Sequence, residues 1–252
     1  MRRQQAITPP ETLAERLHGI YVGELSRALR EPTPQSLHAT QARAMVHRAR
    51  PSPPIVHEEP DESTWIWSDL HLGHDFSIGV FSRPFDSARS ADKAMHRAWN
   101  GCAAEGDTTL CLGDVTVDGC LNAHHVVRWR QVPGSKVLVL GNHDVDPINE
   151  VKLLDIRRTT LALAAPGDPP LLLTHVPLIQ VPHGAVNVHG HIHDKPAPTP
   201  NRHINVSVEQ LGYTPANLKD VRRLARRLLE GRKMPSGRTT RQLLDIVART
   251  MP

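Results

Sequence analysis

Lys136-Val137-Leu138-Val139-Leu140-Gly141-Asn142-His143-Asp144 joins a short strand-forming run to a glycine and three polar side chains. A brief apolar block closed by turn residues reads as a buried strand. Asn, His and Asp directly after it are groups that ligate metals or move protons. The same arrangement recurs along the chain. Thr64–Ser68 runs into Asp69-Leu70-His71, and Thr108–Leu112 into Gly113-Asp114. Leu171–Thr174 runs into His175, and Ala185–Val188 into His189-Gly190-His191-Ile192-His193. Five such runs in order describe a site assembled from the ends of several strands.

Helical patterns lie between and around these runs. Ser87–Cys102 places Ala88, Ala91, Ala94, Met95 and Trp99 at helical spacing, and His124–Arg130 is a shorter helical candidate. Alternation of strand, helix and strand predicts an α/β layered fold, with one sheet or two left open. His203–Glu209 alternates and reads as a late strand. Upstream, Thr8-Pro9-Pro10-Glu11 has the form of a capping box with proline at the first helical position. It predicts a helix over 9–30. A weaker helix over 35–49 and a proline-rich linker to Pro60 follow. Downstream, Leu218, Val221, Leu224, Ala225 and Leu228 form an apolar stripe, with Lys219, Arg222, Arg223, Arg226 and Arg227 on the other face. A last helix is expected after Ser236-Gly237. The organisation expected is a helical segment and linker over 1–60, a central domain over 61–213, and a basic helical segment over 214–252.

Composition agrees with that division. With 22 prolines and 4% aromatic residues, part of the chain is expected to lie outside the main core. The net charge of +4 is unevenly spread: 61–213 carries 12 basic against 17 acidic residues, and 214–252 carries 10 against 3. An acidic middle suits a carboxylate-lined metal site. No apolar run approaches the ~20 residues that span a bilayer, so no membrane partner is expected. No apolar stretch follows Met1-Arg2-Arg3, so no secretory leader is expected. Cys102, Cys111 and Cys120 form no paired motif, which fits a reducing cytoplasm. Neither a phosphate-binding P-loop nor an HExxH zinc helix occurs.

Asp69, His71, Asp114, Asn142, His175, His191 and His193 supply enough groups for two divalent ions with positions left for water. Mixed oxygen and nitrogen donors suit Mn, Fe, Zn, Co or Ni better than Ca or Mg; manganese is the favoured choice. Asp69/His71 and His191/His193 each have i,i+2 spacing, which on extended backbone places both side chains on one face.

The ordered set DxH, GD, GNHD, H and GHxH resembles the calcineurin-like metallophosphoesterase superfamily over roughly residues 64–209. Ser68–His74, Arg83-Pro84-Phe85 and Asn205–Glu209 resemble a small bacterial and phage branch of it. The resemblance implies a four-layer β-sandwich: two mixed sheets face to face, flanked by helices. It implies that Asp69, His71 and His193 hold one ion, that Asn142, His175 and His191 hold the other, and that Asp114 bridges them. A hydroxide between the ions would attack phosphorus, and His143 would protonate the leaving oxygen. His74 and Arg83 are candidate substrate contacts, Arg83 being equally a brace for its own loop. Asp144 is a candidate for orienting the third ligand loop.

The function expected is hydrolysis of a phosphate ester, with phosphodiesters such as nucleotides or cyclic nucleotides preferred. A phosphomonoesterase, a nuclease, or a metal-stabilised nucleic-acid-binding scaffold without catalysis are the alternatives. The basic segment 214–252 is the candidate nucleic-acid contact, although no aromatic residues interleave its arginines. The sequence does not fix an oligomeric state.

Overall fold

The computed structural model describes residues 10–30, 61–117, 120, 123–144, 156–158, 160–232 and 234–250. The expected 35–49 helix and the linker to Pro60 lie outside the described residues. Among the described residues nine strands form two mixed sheets, with helices before and after them.

The larger sheet contains β1 (Thr64–Trp67), β2 (Thr108–Cys111), β3 (Ser135–Val139), β4 (Ile156–Arg158) and β9 (Ala216–Asn217), in the order β4-β3-β2-β1-β9. The first four are parallel, and β9 runs antiparallel beside β1. The smaller sheet has the order β5-β6-β7-β8, from β5 (Leu161–Leu163), β6 (Leu171–Leu173), β7 (Val186–His189) and β8 (His203–Asn205). β6, β7 and β8 are parallel, and β5 is antiparallel to β6. One buried apolar cluster takes side chains from both sheets, among them Leu110, Val139, Leu163 and Val188.

Parallel strands need crossover connections, and helices supply two of them here. Helix α1 (Pro10–Arg30) precedes the sheets, and α2 (Asp75–Val80) follows the first ligand loop. Helix α3 (Ala88–Cys102) links β1 to β2, and α4 (Ala123–Gln131) links β2 to β3. Ser87 starts α3: its side chain accepts from the Ser90 backbone N–H, and the Ser90 hydroxyl accepts in return from the Ser87 N–H. Met95 and Trp99 on its inner face are buried. Trp99 meets Trp67 edge-on at 5.1 Å and Trp129 at 4.9 Å, and its indole N–H donates to Thr109 Oγ1 at 2.9 Å. The helix–sheet interface is thus filled by aromatic rings without an orphaned indole.

Two expectations change. His203–Glu209 is a strand only as far as Asn205. The Asn205 side-chain oxygen accepts from both N–H and O–H of Ser207, a local turn that competes with the ladder, and Val208–Leu211 coils into the short helix α5. Arg222, expected on the solvent face of α6 (Leu218–Leu229), is 2% exposed and ion-paired with Asp61. The segment from 214 onward also supplies edge strand β9. Leu218, Val221 and Leu224 of α6, with Leu244 and Val247 of α7 (Thr240–Thr250), enter the common core. Among the described residues, no helix is long and apolar enough to cross a membrane.

Candidate metal centre

Neighbouring parallel strands project their C-terminal ends to one place. The register sets Trp67 beside Cys111 and Cys111 beside Leu138, so the segments after β1, β2 and β3 start side by side. They carry Asp69 and His71, Asp114, and Asn142 respectively. β6 and β7 of the smaller sheet bring His175 and then His191 and His193. The sheets are joined at this end. Ser68 bridges to Ser207, and His175 Nδ1 donates to the Leu112 carbonyl at 2.7 Å.

The candidate ligands fall into two groups: Asp69, His71 and His193, and Asp114, His175 and His191. Within each group the potential ligand atoms lie within 4.8 Å of one another. One oxygen faces both groups: Asp114 Oδ2 lies 3.7 Å from His71 Nε2 and 3.3 Å from His175 Nε2. Asn142 Oδ1 joins the second group, 3.0 Å from His175 Nε2 and 2.9 Å from His191 Nδ1. With Nδ1 committed to a carbonyl, which only accepts, His175 turns Nε2 toward this cluster. The structure therefore brings all seven sequence-predicted ligands together.

Extended backbone, expected from the i,i+2 spacing, is not what brings these pairs into the site. Neither pair is on extended backbone. Asp69, His71, Asp114, His191 and His193 have φ of 62°, 50°, 52°, 70° and 51°. That is left-handed backbone, uncommon outside glycine, and only Ser82 and Tyr213 share it among described non-glycine residues. Such conformations cost on the order of 1–3 kcal/mol each and persist where surrounding contacts over-determine them. Here Asp69 N donates to Gly113 O and His71 N to Asp114 O, both at 3.0 Å. His191 N donates to both carboxylate oxygens of Asp69 at 3.0 Å. The sharp turns split the two GHxH histidines between the groups.

Close approach of the loops also explains two glycines. A Cβ on Gly141 would sit 2.2 Å from Asp114 Oδ1, and one on Gly190 would sit 2.1 Å from Ser68 Oγ and 2.4 Å from Asp69 Oδ2. Both are closer than real side chains come, so only hydrogen fits.

Burial and neighbouring charges move these candidate ligands in different directions. Burial pushes the Asp69 carboxyl up. Burial also opposes ionisation of Asp114, but His175 and His71 hold its carboxyl well below the ordinary range. Burial drives His71 well down and His191 down to about 3, leaving neutral imidazoles, the form that binds metals. For His175, burial is outweighed by Asp114, and its pKa rises to about 9.

His143 sits beside this cluster. Its ring is 5.4 Å from that of His71, its N–H donates to Asp114 Oδ1 at 2.9 Å, and its Nδ1 is buried without a hydrogen-bond partner. Asp144 orients the third loop: its carboxylate accepts from the backbone N–H groups of Asp114, Val115 and Gly141. Burial and the Asp114 charge push its pKa up to about 7. His74, half-buried, stacks on His71 at 5.8 Å. Arg83 is different. Its side chain is 1% exposed and donates to the carbonyls of Asp69 and Leu70 and to Glu209. The substrate-contact reading of Arg83 gives way to the bracing one, because its guanidinium is buried and engaged.

Four further residues contact the site or its loops, and only Glu209 lay in a quoted sequence motif, without an assigned role. Glu209 accepts from His193 Nδ1 at 3.2 Å. Phe81 stacks on the His193 ring at 3.4 Å. From α1, the Tyr21 hydroxyl accepts from Val176 N, and the Glu24 carboxylate accepts from Ile179 N and Gln180 N. The first helix thus holds the loop that follows His175.

No family model matches the chain. A gene 66 protein of Mycobacterium phage L5 is 34% identical over 83 residues, 32% of this chain and 40% of the phage protein. The chain thus spans well under half of that relative. The uncharacterized protein MJ1445 of Methanocaldococcus jannaschii is 26% identical over 159 residues, 61% of this chain and 86% of its own length. A crystal structure of a protein of unknown function from Aquifex aeolicus (AQ665) superposes with a TM-score of 0.52 at 22% identity. It covers 63% of this chain and 96% of its own. That likeness is one of fold.

Proposed function

We propose that the chain is a two-metal phosphoester hydrolase of the calcineurin-like metallophosphoesterase superfamily, with its two sheets and flanking helices in a four-layer sandwich. The observation that carries this reading is the pair of largely buried candidate ligand groups meeting at one carboxylate oxygen of Asp114. The donors also suit ions. His71 has both ring nitrogens buried without a hydrogen-bond partner, a costly arrangement that a metal at Nε2 would relieve.

In this reading Asp69, His71 and His193 hold one ion, Asn142, His175 and His191 the other, and Asp114 both. Two divalent ions in these positions, manganese first among the candidates, would supply a nucleophilic hydroxide and clamp the phosphoryl oxygens. The protein's own contributions are orientation and a proton. Arg83, Asp144 and the Asp69–His191 hydrogen bonds fix the ligand loops. His143, held by its backbone to Asp114, is placed to protonate the leaving oxygen.

The basic C-terminal helix adds little support for a nucleic-acid partner. Lys219, Arg222, Arg223 and Arg226 are ion-paired with Glu62, Asp61, Asp220 and Asp168. The substrate class proposed is therefore phosphate esters, with diesters preferred on the sequence resemblance. Hydrolysis of p-nitrophenyl phosphate and its bis-ester by Mn²⁺-loaded protein tests the reading; absence of turnover with every first-row divalent metal refutes it.

A further inference from the structure

Two sequence motifs, Arg83-Pro84-Phe85 and Asn205–Glu209, lie outside both ligand groups, yet they meet at His193. Glu209 and Arg83 are 126 residues apart. Arg83 Nε and Nη2 both reach Glu209 Oε1, at 2.9 and 2.8 Å. The same Oε1 accepts from His193 Nδ1 at 3.2 Å. Arg83 also donates through Nη1 to the Leu70 carbonyl at 2.9 Å and through Nη2 to the Asp69 carbonyl at 2.8 Å. One guanidinium thus ties the carboxylate behind His193 to the backbone of Asp69 and Leu70.

The other sides of His193 are held as well. Phe81 covers its ring, and Asn205 Nδ2 donates to its carbonyl at 2.9 Å. A carboxylate accepts only, so Nδ1 carries the proton. Nε2 is left facing Asp69, 3.8 Å from Oδ1. Asp69 and His193 are both left-handed, so their loops need support that local backbone preference does not supply.

We infer that Arg83 and Glu209 form a positioning clamp specific to the Asp69/His71/His193 ion site. Glu209 sets the tautomer and direction of His193, and Arg83 locks that carboxylate to the Asp69 loop. Neither residue touches substrate or ion. The inference rests on the two-metal reading and adds an asymmetry to it. Among the described residues nothing comparable backs His191, and the carbonyl behind His175 is neutral. Carboxylates behind metal-binding histidines are worth about 10–100-fold in metal affinity.

The test is a Mn²⁺ titration of metal-free full-length protein by calorimetry and EPR, in two backgrounds that each leave one site. In His191→Ala, adding Glu209→Gln should weaken the remaining Mn²⁺ site by about 10–100-fold, and Arg83→Lys should weaken it in the same direction. In His71→Ala, which leaves the Asp114/His175 site, Glu209→Gln should leave the affinity unchanged. Glu209→Gln keeps the side-chain shape, and the melting temperature of each metal-free variant checks folding. Unchanged affinity in the His191→Ala background overturns the clamp. Equal weakening in both backgrounds also overturns it, since that is the signature of a general structural role. A parent chain that binds no Mn²⁺ at all refutes the two-metal reading itself and the clamp with it; a clamp failure alone leaves the parent with two ions.

Discussion

Gly190→Ala is a one-carbon change aimed at the contact between the two sheets. The Gly190 backbone is not left-handed, so alanine carries no φ penalty there; the cost is steric. Its Cβ would lie 2.1 Å from Ser68 Oγ and 2.4 Å from Asp69 Oδ2, where ordinary contact begins at 3.4 Å. Both shortfalls are an ångström or more. Ser68 has little room to yield, because its hydroxyl donates to the Leu112 carbonyl at 2.7 Å and its residue is fully buried. The Asp69 carboxylate is the softer partner, but moving it breaks the paired 3.0 Å bonds from His191 N. Overpacking of this kind costs about 1–3 kcal/mol. For a chain of this size that corresponds to a fall of roughly 2–12 °C in melting temperature, at about 2–4 °C per kcal/mol. The displaced Asp69 should also weaken one Mn²⁺ site more than the other. Thermal melts of metal-free protein and Mn²⁺ calorimetry read both effects. Gly101→Ala, in α3 with nothing within 4 Å of the added carbon, is the control and should be neutral or slightly stabilising. A Gly190→Ala protein that melts with the parent and binds two ions unchanged would refute the reasoning.

Other substitutions separate chemistry from folding. His143→Ala should keep both ions, seen by metal analysis, and lose about 10²–10⁴-fold in phosphoester turnover; equal activity would remove the acid role. Ser87→Ala deletes the α3 cap and should cost about 0.5–2 kcal/mol in urea unfolding, with metal binding intact. Burial pushes His189 down to about 3, so it stays neutral in the fold while the unfolded chain takes up a proton below pH 6.5. Its contribution to stability is therefore complete above pH 6.5 and declines as pH falls toward 3, by about 1 kcal/mol at pH 5.5. Urea melts in chelator should show a shallower acid loss for His189→Phe than for the parent, and parallel curves would contradict this.

Much of the site was legible because its candidate ligands follow apolar strands directly. Asp69, Asp114, Asn142, His175 and His191 each sit within a few residues of a buried run, so periodicity and spacing expose them. Helix α3 was legible for the same reason: its cap and its apolar face are local. What escaped depends on distance along the chain or on backbone geometry. Left-handed φ at five candidate-ligand positions falls on Asp and His, which tolerate it better than most side chains but adopt other conformations far more often, so residue type alone does not reveal it. Glu209 meets Arg83 across 126 residues, so only the fold shows that the two motifs are one device. Arg222 lies on the polar side of an amphipathic pattern, but β1, β9 and the turn at Asp61–Ser63 pack against that helix and bury it. Edge strand β9 is two residues long, too short for any alternation to register.

Catalysis by the proposed mechanism needs both ligand groups filled. Hydrolysis of bis-p-nitrophenyl phosphate by metal-free protein, measured as Mn²⁺ is added in equivalents, tests it directly. The two-metal reading predicts no turnover without metal, little at one equivalent and full activity at two, with Asp114→Asn abolishing the second step. Full activity in metal-free protein, a maximum at one equivalent, or no turnover at saturating Mn²⁺ would contradict it.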